Sequence, residues 1–334
     1  MANQVALVNE ALMQQLATVW AVFQGLLLEA IPFLLIGVAI SSVAMAWDPR
    51  GKWLQKLPQG ALTGPLSGAL LGFALPACEC GNVPVARRMI AVGAPLGTAL
   101  GFLFAAPVLN PVVLLSTWAA FPDKPWLLLL RPAGSVLIAL LLSGLLQLLS
   151  ESDLLNGELL AERNLSQPLA KFSLLERRSG LIGEPLPQIK LLNEANKNGD
   201  FQPIQLLSHG VNEFLELGSL LLLGCGLAAL IQTLIPRDLF LLLGQAPTLS
   251  IISAMLLALV VSVCSSVDAF LALGFAEQIT PGALLAFLLL GPVIDLKSVS
   301  LLSKVFTWPA LALVLAGVCL TVLVLGQALN LVLL

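Results

Sequence analysis

The sequence predicts an all-α, polytopic transmembrane helix bundle of about eight to ten spans, built as two repeated halves. Of its 334 residues, 58% are hydrophobic and 10% are charged, whereas a soluble globular chain carries about 25% charged residues. The mean hydropathy is +0.97, and the chain has room for about ten segments of the length that crosses a bilayer core. This composition excludes an ordinary cytosolic enzyme, a disordered chain and a nucleic-acid-binding protein.

The charged residues are concentrated in one segment, which divides the chain. Residues 150–205 hold 14 of the 35 charged side chains within 56 positions, the charge density of a soluble protein. We therefore expect a first transmembrane half at 1–149, a partly helical aqueous linker at 150–205, and a second transmembrane half at 206–334.

The placement of Lys and Arg predicts the orientation. The linker holds six of these residues, whereas residues 1–49 and 305–334 hold none. Because cytoplasmic loops carry an excess of Lys and Arg, we expect a cytoplasmic linker with both chain ends on the opposite face. An odd number of spans per half, and hence an inverted repeat, fits this arrangement. Five spans per half would give about ten, and re-entrant hairpins would give about eight.

Landmark residues of the first half recur in the same order in the second half. The matched residues are Gly97 with Gly282, Pro107 with Pro292, Asn110 with Asp295, Glu29 with Glu216, Gly37 with Gly224, and Cys78-Glu79-Cys80 with Cys264-Ser265-Ser266. Their shared order predicts a duplicated unit.

Each half is expected to contain the same series of helices. A long apolar helix is followed by a Gly/Ala-rich helix that stops at the Cys motif. Two short pieces come next, then a helix that begins at Pro107 or Pro292, then a last long helix. The first helix is predicted at 19–46 and 212–235, and the Gly/Ala-rich helix at 61–76 and 247–263. The two short pieces are predicted at 83–93 with 96–106 and at 267–277 with 282–290, and the last long helix at 126–149 and 308–332. Gly/Pro-interrupted segments at matching places in two halves indicate a transporter's binding site, with broken or re-entrant helices at the Cys motifs.

The Cys78-Glu79-Cys80-Gly81 motif is the most specific feature of the sequence. On an α-helix, residues two apart point about 200° away from each other, whereas in an extended chain they share a side. Pro and Gly residues around the motif favour unwinding, which would present two soft ligands to a thiophilic substrate such as As(III) or Cu(I). Alternatively, buried cysteines pack as small hydrophobes, as we expect of Cys225 and Cys319, which lack polar neighbours.

Cys264 and Asp268 form the matching feature of the second half. Four residues apart, they would share one face of a helix and add a third thiol and another carboxylate to the site. Cys78, Cys80 and Cys264 are therefore the candidate metal ligands, in the sense of ligands to a transported substrate. The alternative is a polar helix start that is capped by one of the intervening serines.

Polar residues at the next matched breaks are further candidates for substrate contact. Asn110 follows Pro107, and Asp295 follows Pro292. An unwound chain at these places would expose carbonyl groups and helix ends to a cavity.

Charge balance or ion coupling is expected from five residues, since charges inside a membrane are costly without a partner. They are Arg87, Arg88, Glu29, Glu216 and Lys297. One of the two arginines would pair with Glu79 or Asp268, or both would extend to the membrane interface.

Several chemistries are excluded by missing motifs. The sequence has no G-x-x-x-x-G-K-[ST] run, so the chain does not hydrolyse ATP through a P-loop. His209 is the single histidine, which excludes His-rich metal sites and H-E-x-x-H chemistry. No cofactor is expected, and energy would come from an ion gradient or a partner.

Five runs of residues carry a resemblance to a known family. They are Pro76 to Arg88 (PACECGNVPVARR), Gly93 to Gly97 (GAPLG), Ala106 to Val113 (APVLNPVV), Val263 to Phe270 (VCSSVDAF) and Gly291 to Lys297 (GPVIDLK). With these runs the chain resembles the predicted-permease family that includes organoarsenical efflux permeases, the ArsP-like and YraQ-like proteins. The likeness covers most of both membrane halves, although Ser266 stands where the family typically has an acidic residue. It implies an inner-membrane permease, and efflux of trivalent organoarsenicals belongs to some members.

Together these observations predict a multi-pass plasma-membrane permease, not an enzyme, that exports a small thiophilic solute. The substrate would meet Cys78, Glu79, Cys80, Cys264 and Asp268 near the membrane midplane, and rocking of the halves would alternate access. The expected partners are the bilayer and the solute, with a homo-oligomer or an accessory subunit left open. Two rival classes stay open: a membrane thiol-redox enzyme and a structural or assembly subunit of a membrane complex.

Overall fold

A computed structural model describes residues 2–48, 53–75, 78–166, 203–234 and 247–333. These residues form fourteen α-helices and no β-sheet. Pro76, which flanks the Cys motif, and most of the predicted linker lie outside the described residues.

The helices of the first half and of the adjoining linker are numbered α1 to α8. They are α1 Ala2–Trp47, α2 Thr63–Ala74, α3 Glu79–Ala91, α4 Leu96–Leu109, α5 Pro111–Ala120, α6 Pro125–Leu146, α7 Glu151–Leu154 and α8 Gly157–Ser166. Those of the second half are α9 Pro203–Leu234, α10 Pro247–Val261, α11 Asp268–Leu273, α12 Pro281–Val293, α13 Leu296–Leu302 and α14 Trp308–Leu333.

Six helical stretches in the described part of the chain are long and apolar enough to cross a membrane. They are Met13–Ala44, Leu96–Ala120, Pro125–Leu146, Gly210–Leu234, Pro281–Leu302 and Trp308–Leu333. The shorter apolar helix α10 adds to them. The structure thus confirms an all-α polytopic membrane bundle, while the total of about eight to ten spans, the inverted repeat and the re-entrant hairpins stay predictions.

The break between α4 and α5 lies later than predicted. Pro107 is inside α4, which continues to Leu109, because proline is tolerated in a membrane helix when neighbours satisfy the freed backbone groups. The new helix begins at Pro111, which disfavours the α conformation at Asn110. The Asn110 side chain caps α5 by accepting a hydrogen bond from Val112 N at 3.0 Å.

The break between α12 and α13 is displaced in the same way. Pro292 lies inside α12, and the next helix begins at Leu296. Asp295 and Ser298 form a reciprocal capping box at its start, which satisfies two backbone donors that would otherwise lack partners.

Small residues allow the helices near the Cys motif to approach closely. A side chain at Gly37 of α1 would collide with the backbone of Gly81 in α3, and one at Gly68 of α2 would collide with the Thr98 carbonyl of α4. Such contacts between small residues are a principal means of packing helices in membranes. The first contact fixes α3 against α1, and the second fixes α2 against α4.

The first part of the predicted linker packs against the bundle instead of extending into solvent. Residues 150–166, which we call the strap, bury Leu154, Leu155 and Leu159. Asn156 N donates to the Val305 carbonyl at 2.9 Å, in the turn between α13 and α14. Three buried leucines and this backbone pairing explain why the strap is less solvated than its charge suggested. We call the end of the bundle that carries it the linker face.

The two halves pack against each other through several helix pairs. The pairs are α1 with α9, α3 with α13, α4 with α12, α5 with α11, α6 with α12 and α6 with α14. Within the halves, α2 packs on α4 and α4 on α6, just as α10 packs on α12 and α12 on α14. The helix breaks at the two Cys motifs therefore lie within one bundle.

Candidate functional site

A cluster of two thiols and one carboxylate joins the two halves. Cys78, Glu79 and Cys264 place one ligand atom each within 4.8 Å of one another, and all three residues are buried. We call them the thiol cluster. The Cys78 thiol also interacts with that of Cys80, which is itself buried.

Helix breaks place the members of the thiol cluster. Cys78 has an extended backbone and precedes α3 as its N-cap, so that Glu79 and Cys80 lie in the first helical turn. Cys264 lies between α10 and α11, two residues after Ser262, whose φ of 47° is in the left-handed region. A non-glycine residue in that region carries backbone strain, which tends to occur at functional sites.

A buried ammonium group lies between two buried carboxylates next to the thiol cluster. Lys297 Nζ is 3.6 Å from Glu79 Oε1 and 3.5 Å from Asp295 Oδ2. The exposed fraction of each of these three side chains is 4% or less. We call them the buried triad. Lys297, not an arginine, is thus the cation that faces Glu79.

Several polar atoms around this region lack hydrogen bonds. Within the described part of the chain they include both Glu79 carboxylate oxygens, both Asn82 side-chain polar atoms and Asp295 Oδ2. Asn82 is fully buried and lies one helical turn after Glu79, on the same side of α3. A buried polar atom without a partner costs about 1–3 kcal/mol, so such a concentration is unusual in a well-packed interior.

A second buried ion pair joins the halves, and one of its members was not predicted. Arg131 of α6 pairs with Asp268 of α11, and both side chains are almost completely buried. Arg131 also donates to the Thr117 hydroxyl and to the Ser265 carbonyl at 3.4 Å. The sequence signal for this residue was a lone arginine within a long apolar helix, which by itself indicates a functional role.

Arg87 lies at the linker face, whereas the sequence left open both pairing with Glu79 or Asp268 and extension to the membrane interface. Arg87 pairs with Glu162 of the strap at 3.5 Å and with Glu216 at 3.3 Å, and not with Glu79 or Asp268. Glu216 also meets Lys304 at 2.9 Å. Burial raises the pKa of the Glu162 carboxyl, although Arg87 opposes the shift. We call these four residues the linker-face cluster. Arg87 lies there because it is two turns along α3 from Glu79.

The other predicted residues lie at various distances from the thiol cluster. Arg88 interacts electrostatically with Glu213 and Glu162 near the linker face. Glu29 is half-buried on α1 and interacts electrostatically with Lys297. Asn110 is buried and acts as the cap of α5.

The contacts between the strap and the end of α3 show how far the thiol cluster lies from the linker face. Arg163 of α8 donates to the carbonyls of Ile90 and Ala94, at 3.0 and 2.9 Å, at the linker-face end of α3. From Ile90 back to Cys78, α3 rises about 18 Å at 1.5 Å per residue. The hydrocarbon core of a bilayer is about 30 Å thick.

The donor set of this region is suited to soft, partly polar solutes. Two or three thiols offer soft ligands, and the adjacent carboxylates and Asn82 amide offer hydrogen-bonding groups. Lys297 supplies a positive charge that offsets part of the negative charge of the carboxylates.

Comparisons with known proteins agree on one family. Residues 15–331 match the ArsP_1 family, described as a predicted permease. UPF0718 protein YcgR of Bacillus subtilis is 31% identical over 286 residues, which cover 86% of this chain and 88% of that protein. A second relative, from Streptococcus mutans, is named "Putative two-component membrane permease complex subunit". It is 28% identical over 286 residues, which cover 86% of each chain. No solved structure matches significantly. The chain therefore belongs to the ArsP_1 family of predicted permeases, as its five sequence runs predicted.

Proposed function

We propose that this multi-pass membrane permease exports a small thiophilic solute, a trivalent arsenical or a soft metal species, across the plasma membrane. The observation that carries the proposal is the thiol cluster, in which Cys78 and Glu79 of one half meet Cys264 of the other. Thiolates select soft ions over hard ones. A solute bound by ligands from both halves would respond to movement between them.

The buried polar atoms that lack hydrogen bonds support a solute that is polar as well as soft. The Cys78 and Cys264 thiols would each displace one hydroxyl group of the trivalent centre as water, and Glu79, Asn82 or Asp295 would hydrogen-bond to a hydroxyl group that the centre retains. This would satisfy buried groups that are otherwise costly. The substrate would thus be recognised by two kinds of contact.

Transport would proceed by alternating access, with rocking of the two halves around the thiol cluster. The helix breaks at Cys78 and Cys264 lie between packed elements of different halves, where a small relative movement changes the separation of the thiols. Because the sequence has no P-loop, an ion gradient or a partner subunit would supply the energy.

The test is a resistance and accumulation assay in cells that lack the gene. Three proteins are compared: the wild type, the double variant Cys78→Ser with Cys80→Ser, and the control Cys319→Ser. Resistance and intracellular accumulation are measured with As(III), methylated arsenicals, Cu, Zn and Hg. Cys319 is a half-buried thiol of α14 outside the thiol cluster. We expect wild type and the control to lower accumulation of one of these solutes, and the double variant to lose this effect at equal membrane abundance. Equal transport by all three proteins would contradict the proposal.

The proximity of Cys78 to Cys264 also fits a second function, membrane thiol-redox chemistry. In that case an external electron acceptor would oxidise the two thiols to a disulfide, with release of two protons, and an external thiol reductant would restore them in each turnover. Trapping with an alkylating agent during solute transport distinguishes the two functions: a thiol-redox protein accumulates the disulfide, and a transporter stays reduced.

A role as the subunit of a larger complex is a third candidate. It is favoured by the name of the Streptococcus mutans relative. Stable co-purification with a second protein, together with unchanged phenotypes for the Cys variants, would support this role over transport by the chain alone.

A further inference from the structure

We propose that Arg131 and Asp268 form a gate that closes the thiol cluster on the face opposite the linker, and that this pair separates during transport. The inference rests on the proposed transport function. It assigns Arg131 a role, and it reassigns Asp268 from direct substrate contact to closure of the site.

The position of the pair in the bundle supports this assignment. α6 begins at Pro125, on the face opposite the linker, and ends at Leu146 just before the strap. Arg131 is six residues from that start, about 9 Å along the helix. Nearer the same face, Lys124 pairs with Glu277 at 3.3 Å. Two successive ion pairs therefore join the halves between that face and the interior.

The contacts of the pair cross the boundary between the halves. Arg131 and Thr117 come from the first half, whereas Asp268 and the Ser265 carbonyl come from the second. The α5–α11 and α6–α12 contacts surround them. A movement of one half against the other must therefore stretch or break these bonds.

The energetics of burial argue against a purely structural role. A buried ion pair is often no more stabilising than apolar residues of similar size, because both charges lose their hydration. Within a membrane, ionisable residues are rare and mark pathways or moving parts. Arg131 Nε and Asp268 Oδ1 also lack hydrogen bonds within the described residues, so this pair is not fully satisfied in the closed arrangement.

The pair is connected to the thiol cluster through one helical turn. Asp268 N donates to the Cys264 carbonyl at 3.1 Å, so displacement of Asp268 also displaces the Cys264 backbone. The left-handed Ser262 begins the same irregular segment. Opening of the gate would thus alter the thiol cluster directly, which links access to binding.

The experiment measures how fast a charged, membrane-impermeant methanethiosulfonate reagent modifies Cys264 from each face of the membrane. The full-length protein carries Cys264 as its only cysteine and is tested in membrane vesicles of both orientations. The variants are Asp268→Asn, Arg131→Gln and the exchanged pair Arg131→Asp with Asp268→Arg. Lys124→Gln is the matched control, because it removes only the more exposed ion pair of the same face. No solute is needed, so failure of the gate is distinguishable from failure of the proposed substrate.

We expect each single variant of the pair to raise the modification rate from the face opposite the linker by about tenfold or more. The reason is that the substitution removes a contact that only the closed state makes, which shifts the protein towards the open state. The rate from the linker face should stay unchanged. The exchanged pair should return the rate towards that of the parent protein, and Lys124→Gln should change it by less than about threefold. Unchanged rates in both single variants would overturn the proposal. So would equal increases from both faces, which would indicate loosening of the whole bundle.

Discussion

The buried triad and the linker-face cluster both pair carboxylates with cationic side chains, but they differ in how deeply these groups are buried. In the triad, Lys297 pairs with two buried carboxylates at 3.5 to 3.6 Å, and three of their four oxygen atoms accept no hydrogen bond from the described residues. In the linker-face cluster, Glu216 lies between Arg87 and Lys304 and is one-third exposed. The first arrangement is costly in a low-dielectric interior, whereas the second is an interfacial network of modest strength.

The difference indicates which charges hold the fold and which serve the site. The linker-face cluster and the strap join α3, α9 and the turn before α14, where Arg87 is buried but Glu162, Glu216 and Lys304 are 27% to 39% exposed. The triad lies about 18 Å along α3 from that end, beside the thiol cluster, where every unpaired charge is expensive. Substitutions should therefore have unequal effects in the two regions.

The largest effect is expected for Lys297→Gln. It leaves Glu79 and Asp295 without their cation, and breaking a buried ion pair costs about 3–5 kcal/mol. We expect a large fall in the thermal unfolding midpoint of the detergent-purified protein and a loss of transport.

Lys304→Gln is the control for this substitution, since Lys304 is a partly exposed lysine whose loss should cost less than about 1 kcal/mol. Similar unfolding midpoints for the two variants would contradict the distinction between the regions.

A smaller effect is expected for Arg163→Gln in the strap. Arg163 donates to the Ile90 and Ala94 carbonyls and makes two hydrogen bonds to Glu151. Losing these contacts should cost about 1–3 kcal/mol and increase proteolysis of the strap. Glu151→Gln retains the contacts to α3 and should be milder, so an equal effect of both changes would show that the carbonyl contacts contribute nothing.

The smallest effect on stability is expected for Asn82→Leu, although its effect on transport should be large. The Asn82 amide has no hydrogen bond in the described structure, and replacing a buried, unsatisfied polar group by an apolar one of similar size is close to neutral. We expect an unfolding midpoint equal to or above that of wild type, with transport strongly reduced. A marked loss of stability would show that Asn82 serves the fold.

The sequence alone predicted the membrane bundle and the breaks at the Cys motifs, because hydropathy and Pro/Gly placement are local signals. It also brought Glu79, Cys78 and Cys264 together as candidates, since their segments matched in order. It did not predict that Lys297, twenty-nine residues beyond Asp268, would face Glu79, because such a pairing depends on how α13 packs on α3.

Other differences have equally specific causes. The sequence left two places open for Arg87, beside Glu79 or Asp268 or at the membrane interface, and helix α3 carries it two turns away from the thiol cluster towards the strap. Arg131 was missed because it has no matching residue in the other half and its partner is 137 positions away. Pro107 indicated a helix start, yet the capping side chain of Asn110 determines where α5 begins.

The most direct test of the central claim is a disulfide cross-link between the two halves. The claim is that Cys78 and Cys264 belong to one site. A chain with these two cysteines alone receives a protease site within residues 167–202 and is oxidised with diamide in membranes. A matched chain with Cys78 and Cys319 alone is the control. After cleavage, we predict that the Cys78–Cys264 chain stays at full-length mobility until a reductant separates its halves, while the control separates at once. Separation of both chains without reductant would contradict the claim.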